Sequence, residues 1–206
     1  MDWRIESYYL QLLLQRSNYD EAQLTNSNIC SDFKLSNFYV SIFYCGKLDS
    51  VAGIKLVEQI RHRFEKVYIQ GFNSEVIFGL QHVVEDLKIT LEALKRQIMV
   101  ANRPELDLLL RLSCTTQISK AISYAGIKSG KCACFVIFSK NKRDLLKARN
   151  CALQSLPDFD NSEFTNDAST RNTLATKLGF KSGSYFLADD SVFLKYLIER
   201  AALITK

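Results

Sequence analysis

FYVSIFYCGKLDSVAGIKLVEQIRHRFEKVYIQGF, running from Phe38 to Phe72, decides the fold. It opens on FYVSIFYC, β-branched and aromatic, as a half-buried strand is. Asp49 or Ser50 then offers a helix N-cap, and Ile54, Val57, Ile60 and Phe64 recur on one helical face. KVYIQGF follows as a second strand. The order is β-α-β, a unit that favours a right-handed crossover between parallel strands.

Working downstream, Asn73 and Ser74 offer a cap, and EVIFGLQHVVEDLKITLEALKRQIMVA carries helix-forming residues to Ala101, as one long helix or two consecutive ones. Asn102, Arg103 and Pro104 break that pattern. Pro104 suits the first position of a new helix, Glu105 to Cys114, because its missing N–H would be unbonded there in any case. TTQISKAISYAGIK, Thr115 to Lys128, is expected to form a helix capped by Thr115 and Thr116. Ile118, Ala121, Ile122 and Ala125 would face the core, and Gly126 would end the helix in a left-handed conformation. A strand follows at CACFVIF. Beyond Lys140, KNKRDLLKARNCALQSL reads as a basic turn and short helix, PDFDNSEFTNDAST as an acidic exposed loop, and RNTLATKLGF as a helix stopped at Gly179. Asp189, Asp190 and Ser191 precede a closing helix, Val192 to about Ile204.

Upstream, Ile5, Tyr8, Tyr9, Leu12 and Leu13 form a helical stripe within Trp3 to Gln15, followed by a polar stretch from Ser17 to Ser36 that reads as a loop. The expected organisation is a helix-and-loop extension over residues 1–36, then a single α/β domain over 37–206 with a small central mixed β-sheet flanked by helices. No internal repeat is present in the sequence.

Composition narrows the function. With 206 residues, 47% hydrophobic, 24% charged and two prolines, the chain has enough apolar surface for one substantial core. Its longest apolar runs fall short of the roughly 20 residues a membrane helix needs. Acids at Asp2 and Glu6 oppose a secretory leader, so a cytosolic protein is expected, with the nucleus a second location in a eukaryote. The six cysteines, Cys30, Cys45, Cys114, Cys132, Cys134 and Cys151, are expected as buried thiols, since no second Cys pair or Cys/His pair stands at zinc spacing. The two histidines, His62 and His82, belong to no recognisable acid-base pattern. No P-loop, Rossmann fingerprint, nucleophile elbow or H-E-x-x-H occurs, and no cofactor or metal is expected. Binding is the default function. A net charge of +5 permits an anionic partner without demanding one.

RPELDLLLRLSCTTQISKAISYAGIKSGKCACFVIFSK combines a leucine-rich helix from a Glu-containing turn (Glu105 to Leu112), a QI..A helix (Gln117 to Ala121), a GI exit (Gly126, Ile127) and an apolar strand (Cys132 to Phe138). In this it resembles the TPRKB family of KEOPS subunits. The likeness runs more loosely upstream through the β-α-β unit and downstream to the last helix, over about three quarters of the chain. It departs at Thr116, where many members carry arginine, and in the segment before Phe38. What the resemblance implies is a non-catalytic subunit of the complex that makes threonylcarbamoyladenosine at position 37 of transfer RNA. Such a subunit binds and stimulates the complex's small atypical kinase, an ATPase. Through that kinase it meets the carbamoyltransferase, and it recruits transfer RNA by the 3′ CCA end.

Two surfaces would serve those roles. Lys88, Lys95, Arg96, Arg103, Arg111, Lys120 and Lys128 supply cations for phosphates, and Tyr124 and Arg111 supply flat faces for unstacked bases. The last helix carries apolar side chains nearly all round, so Val192, Phe193, Tyr196, Leu197, Leu203 and Ile204 are the expected kinase-binding residues. The alternatives are a protein-interaction adaptor that never touches RNA and a cysteine-dependent hydrolase or transferase.

Overall fold

The computed structural model describes residues 25–27, 30–156, 168–180, 187 and 189–205. The expected helix over Trp3 to Gln15 and most of the acidic loop after Leu156 lie outside them. Five strands form one sheet in the order β1-β2-β3-β5-β4: β1 (Thr25–Ser27), β2 (Cys30–Leu35), β3 (Phe38–Leu48), β4 (Tyr68–Asn73) and β5 (Lys131–Ser139). Seven α-helices accompany them among the described residues: α1 (Ser50–Arg63), α2 (Gly79–Arg96), α3 (Pro104–Leu112), α4 (Ile118–Ala125), α5 (Lys142–Ser155), α6 (Ala168–Lys177) and α7 (Asp190–Ala202).

The α/β domain with a central sheet flanked by helices is as expected, but every hydrogen-bonded strand pair is antiparallel rather than mixed. The β-α-β unit is nonetheless real. β3 and β4 run in the same direction, and β5 enters between them antiparallel to both, which splits the unit. The stretch read as a loop before Ser36 instead contributes β1 and β2, with β2 paired to β3 from Cys30↔Phe43 to Leu35↔Phe38. The domain therefore begins upstream of residue 37.

β5 shows why its sequence is apolar without alternation. Cys134, Val136 and Phe138 face one core, shared with α2, α3, α4, α6 and α7, while Ala133, Phe135 and Ile137 face a second core under α1 and α5. A strand covered on both faces gains nothing from polar residues on either. Aromatic rings tie the neighbouring strands: Phe43 stacks on Phe135 at 5.5 Å, and Tyr68 on Phe138 at 5.1 Å.

Helix ends follow local chemistry. Pro104 occupies the first turn of α3 as expected, and Asp189 caps α7 by accepting from the Ser191 and Val192 amides. Asn73 caps a short 3-10 turn, Ser74–Val76, ahead of α2. Gly179, at φ +77, turns the chain after α6. Gly126 departs from expectation, with φ −64 at the end of α4. Glycine is required there for space instead, since a Cβ would sit 2.5 Å from the Ile122 carbonyl oxygen.

Candidate partner and nucleic-acid surface

α4 is built to hold two faces apart. Cys114, at φ 48, breaks the chain away from α3, and the Thr115 hydroxyl accepts from the Gln117 amide, leading into the helix with Gln117 rather than a threonine at the cap. Ala121 and Ala125 are buried, small enough to let the helix lie close on its neighbours. Ile118 and Ile122, expected in the core, point outward at 47% and 55% exposure. The reason is spacing: the alanines take the inward positions of the apolar stripe, and the isoleucines are left on its outer flank. Thr116, Gln117, Ser119, Lys120 and Ser123 around them are exposed as well.

The loop after α4 is anchored by Ile127. Its Cδ1 lies where side chains at two glycines would collide with it, 2.9 Å from a Cβ built on Gly53 of α1 and 2.6 Å from one on Gly71 of β4. A side chain at either glycine would have to push this wedge aside from the second core. Ser129 adds a polar latch, donating to Asp49 Oδ1 at 2.8 Å, and this bond leads the causes that hold the Asp49 carboxyl below its ordinary value.

The expected RNA-binding residues divide. Lys120 and Lys128 are exposed, and Tyr124 lies one turn from Lys120, half-buried, its phenol pushed up to about 12 chiefly by burial. Lys95 is exposed on the last turn of α2. Lys88 is drawn to Glu85 at 2.7 Å, Arg96 to Glu92 at 2.6 Å, and Arg103 to the buried Glu105 at 2.6 Å. Arg111 is no surface residue at all. Its Nε donates to Asp107 at 2.6 Å and a terminal nitrogen donates to the Ala201 carbonyl at 3.0 Å, so it joins α3 to the end of α7 from inside the core. α3 packs against both α2 and α4, which separates the cations of α2 from those of α4.

The expected kinase-binding residues divide in the same way. Phe193 and Leu197 are buried, Phe193 meeting Phe78 edge-on at 5.1 Å, so they hold α7 to its own domain. Val192, Tyr196 and Ile204 are half-buried, and Leu203 alone of the six is largely exposed, at 53%. The helix is apolar nearly all round because α2, α3 and α6 surround much of it.

Three of the six thiols sit where burial disfavours the thiolate. Burial pushes the thiols of Cys30 and Cys114 up to about 11 and that of Cys134 to about 12, away from the thiolate. His82 is buried in α2, accepting from the Phe78 amide at Nδ1 and facing Asp86 across 3.5 Å. Among the described residues no three His, Cys, Asp or Glu side chains cluster as metal ligands, and no helix is long and apolar enough to cross a membrane.

Three features escaped sequence reading. Arg61 reaches over the β4 edge, donating to the Ile69 carbonyl and Gln70 Oε1 and lying 3.5 Å from Glu105, so it straps the α1 layer to α3. Exposed Val51 and Ile54 begin α1. A recess between the end of α1 and α5 gathers Arg63 and Lys147. The runs RHRF and KARNC carried its residues, but nothing local said that they meet. No family model and no curated protein matches this chain.

Proposed function

We propose that this chain is a non-catalytic binding subunit of the KEOPS type, docking the small kinase and recruiting transfer RNA by its 3′ CCA end for threonylcarbamoyladenosine synthesis. The observation that carries the reading is α4, the helix of the family-like motif. It spends its isoleucines, Ile118 and Ile122, on solvent beside Lys120 and Gln117, which costs a lone domain solubility and suits a surface that a partner covers. The raised thiols of Cys30, Cys114 and Cys134 support binding over cysteine catalysis.

The test measures two affinities of the purified chain at low and moderate salt: for the kinase subunit, and for transfer RNA with and without its 3′ CCA. The expected results are kinase binding lost in an Ile118→Ser, Ile122→Ser double variant that folds normally, and RNA binding that needs the CCA and weakens in Lys120→Gln and Lys128→Gln. Equal affinity for both RNAs overturns CCA recognition, and kinase affinity untouched by the isoleucine changes overturns the docking surface.

An adaptor without RNA binding is the second reading. It is favoured by the acids that engage Lys88, Arg96, Arg103 and Arg111, which leave Lys95, Lys120 and Lys128 as the expected RNA-binding cations without a carboxylate partner among the described residues. Absence of salt-sensitive RNA binding selects it.

A further inference from the structure

On the other face of the sheet, α5 turns Lys147, Asn150, Cys151 and Gln154 outward on one flank, at the three- and four-residue steps of a helix. Leu145, Ala148 and Ala152 fix the opposite flank in the core beneath. The end of α1 stands across from that polar flank, with Arg63 and Phe64 completing a recess of about 530 Å³. The recess is open to solvent on its outer side.

The lining has a definite chemistry. Arg63 and Lys147 both reach the recess, no carboxylate lines it, and neither cation has a carboxylate partner among the described residues. The Arg63 guanidinium lies over the half-buried Phe64 ring, 5.6 Å from its centroid, and a terminal nitrogen donates to Cys151 Sγ at 3.6 Å. These two contacts hold a planar cation in place, so a flat group can stack there at little entropic cost. Gln154 offers both a donor and an acceptor, and Asn150, whose Oδ1 accepts from the Arg149 guanidinium at 3.1 and 3.2 Å, offers its amide NH2 as a donor, together the complement of a base edge.

We propose that this recess binds a nucleotide, with the phosphate on Lys147 and the edge of Arg63, the base stacked on the outer face of the Arg63 guanidinium that Phe64 supports from beneath, and the base edge on the Asn150 NH2 and the Gln154 amide. The site is separate from the surface of α4 and α7, so it goes beyond the proposed kinase and CCA contacts and stands without them. The same chemistry is offered by a free mononucleotide and by one nucleotide of a single strand.

The test is equilibrium dialysis of the full chain against AMP, adenosine, inorganic phosphate and a short single-stranded oligonucleotide, repeated with Arg63→Gln and Lys147→Gln. Both changes are at exposed positions, and circular dichroism checks that the fold is kept. Saturable AMP binding is expected, with adenosine and phosphate each weaker by about tenfold or more and each substitution costing about tenfold. AMP is also expected to slow alkylation of Cys151, read by mass spectrometry. An oligonucleotide that binds tighter than AMP and depends on the same two cations assigns the nucleotide to a strand, and one that binds no tighter assigns it to the free pool. No saturable AMP binding, binding that survives both substitutions, or phosphate binding as tight as AMP overturns the site.

Discussion

His82 accepts from a backbone amide at Nδ1, so its proton sits on Nε2, and burial pushes its pKa down from the ordinary 6.5 to about 4. Between those values the unfolded chain takes up a proton that the fold refuses. Stability from this group is therefore complete above about 6.5 and is lost as pH falls toward 4. Asp86 works in the opposite sense: burial raises its carboxyl well above the ordinary 3.8, so the fold holds a proton that the unfolded chain releases as pH rises. Replacing His82 separates the two. His82→Asn keeps an acceptor for the Phe78 amide and removes the titration, so urea denaturation is expected to show it losing about 2 kcal/mol less stability than the parent between about pH 7 and about pH 5. An unchanged pH slope would mean that the imidazole takes up its proton in the fold as readily as in the unfolded chain. Arg111 shows what single residues conceal. Its charge reads as solvent-facing, yet Asp107 stands four residues earlier, the spacing of an ion pair on one helical face, and that was the available signal for its burial.

At the scale of elements, the legible features were those with local causes. β5 announced itself by an unbroken apolar run, α3 by Pro104, and α7 by Asp189 ahead of its first turn. α4 was legible as a helix and misread as to its face, because which flank of an apolar stripe is covered depends on helices elsewhere in the chain. The joint between α1, β4 and the loop after α4 was illegible for the same reason. Gly53, Gly71 and Ile127 are far apart in sequence, and only their meeting explains the two glycines. That joint can be tested. Gly71→Ala forces its methyl toward Ile127 Cδ1 and Phe135 Cε1 and should cost about 1–3 kcal/mol of stability. Ile127→Val removes that Cδ1, so the double variant should be less destabilised than the sum of the singles, a coupling read from a denaturation cycle. Strict additivity would show that Ile127 does not fill the space above Gly71.

For the whole molecule, the sheet divides the roles: α1 and α5 cover one core, and the helices around α3 cover the other. The β-α-β unit was readable from Phe38 to Phe72, but the strand that splits it comes much later in the chain, and no local pattern records the pairing. β2 escaped for a different reason. Its burial is mostly partial, and a strand near a sheet edge carries Ser31, Asp32 and Lys34 where a central one carries isoleucine, so its composition mimics a loop. The consequence is a domain boundary that can be measured. β3 is an 11-residue strand whose outer neighbour is β2, and Cys30 of β2 belongs to the core under α5, where Arg149 also pairs with Asp32. A chain begun at residue 37 leaves β3 as a long apolar edge and removes that cover. It is expected to lose soluble yield and to form higher oligomers by size-exclusion chromatography, with faster amide exchange along β3 than in the full chain. A truncated protein that stays monomeric with its thermal midpoint unchanged would show that β1 and β2 are dispensable, restoring the boundary that the polar composition suggests.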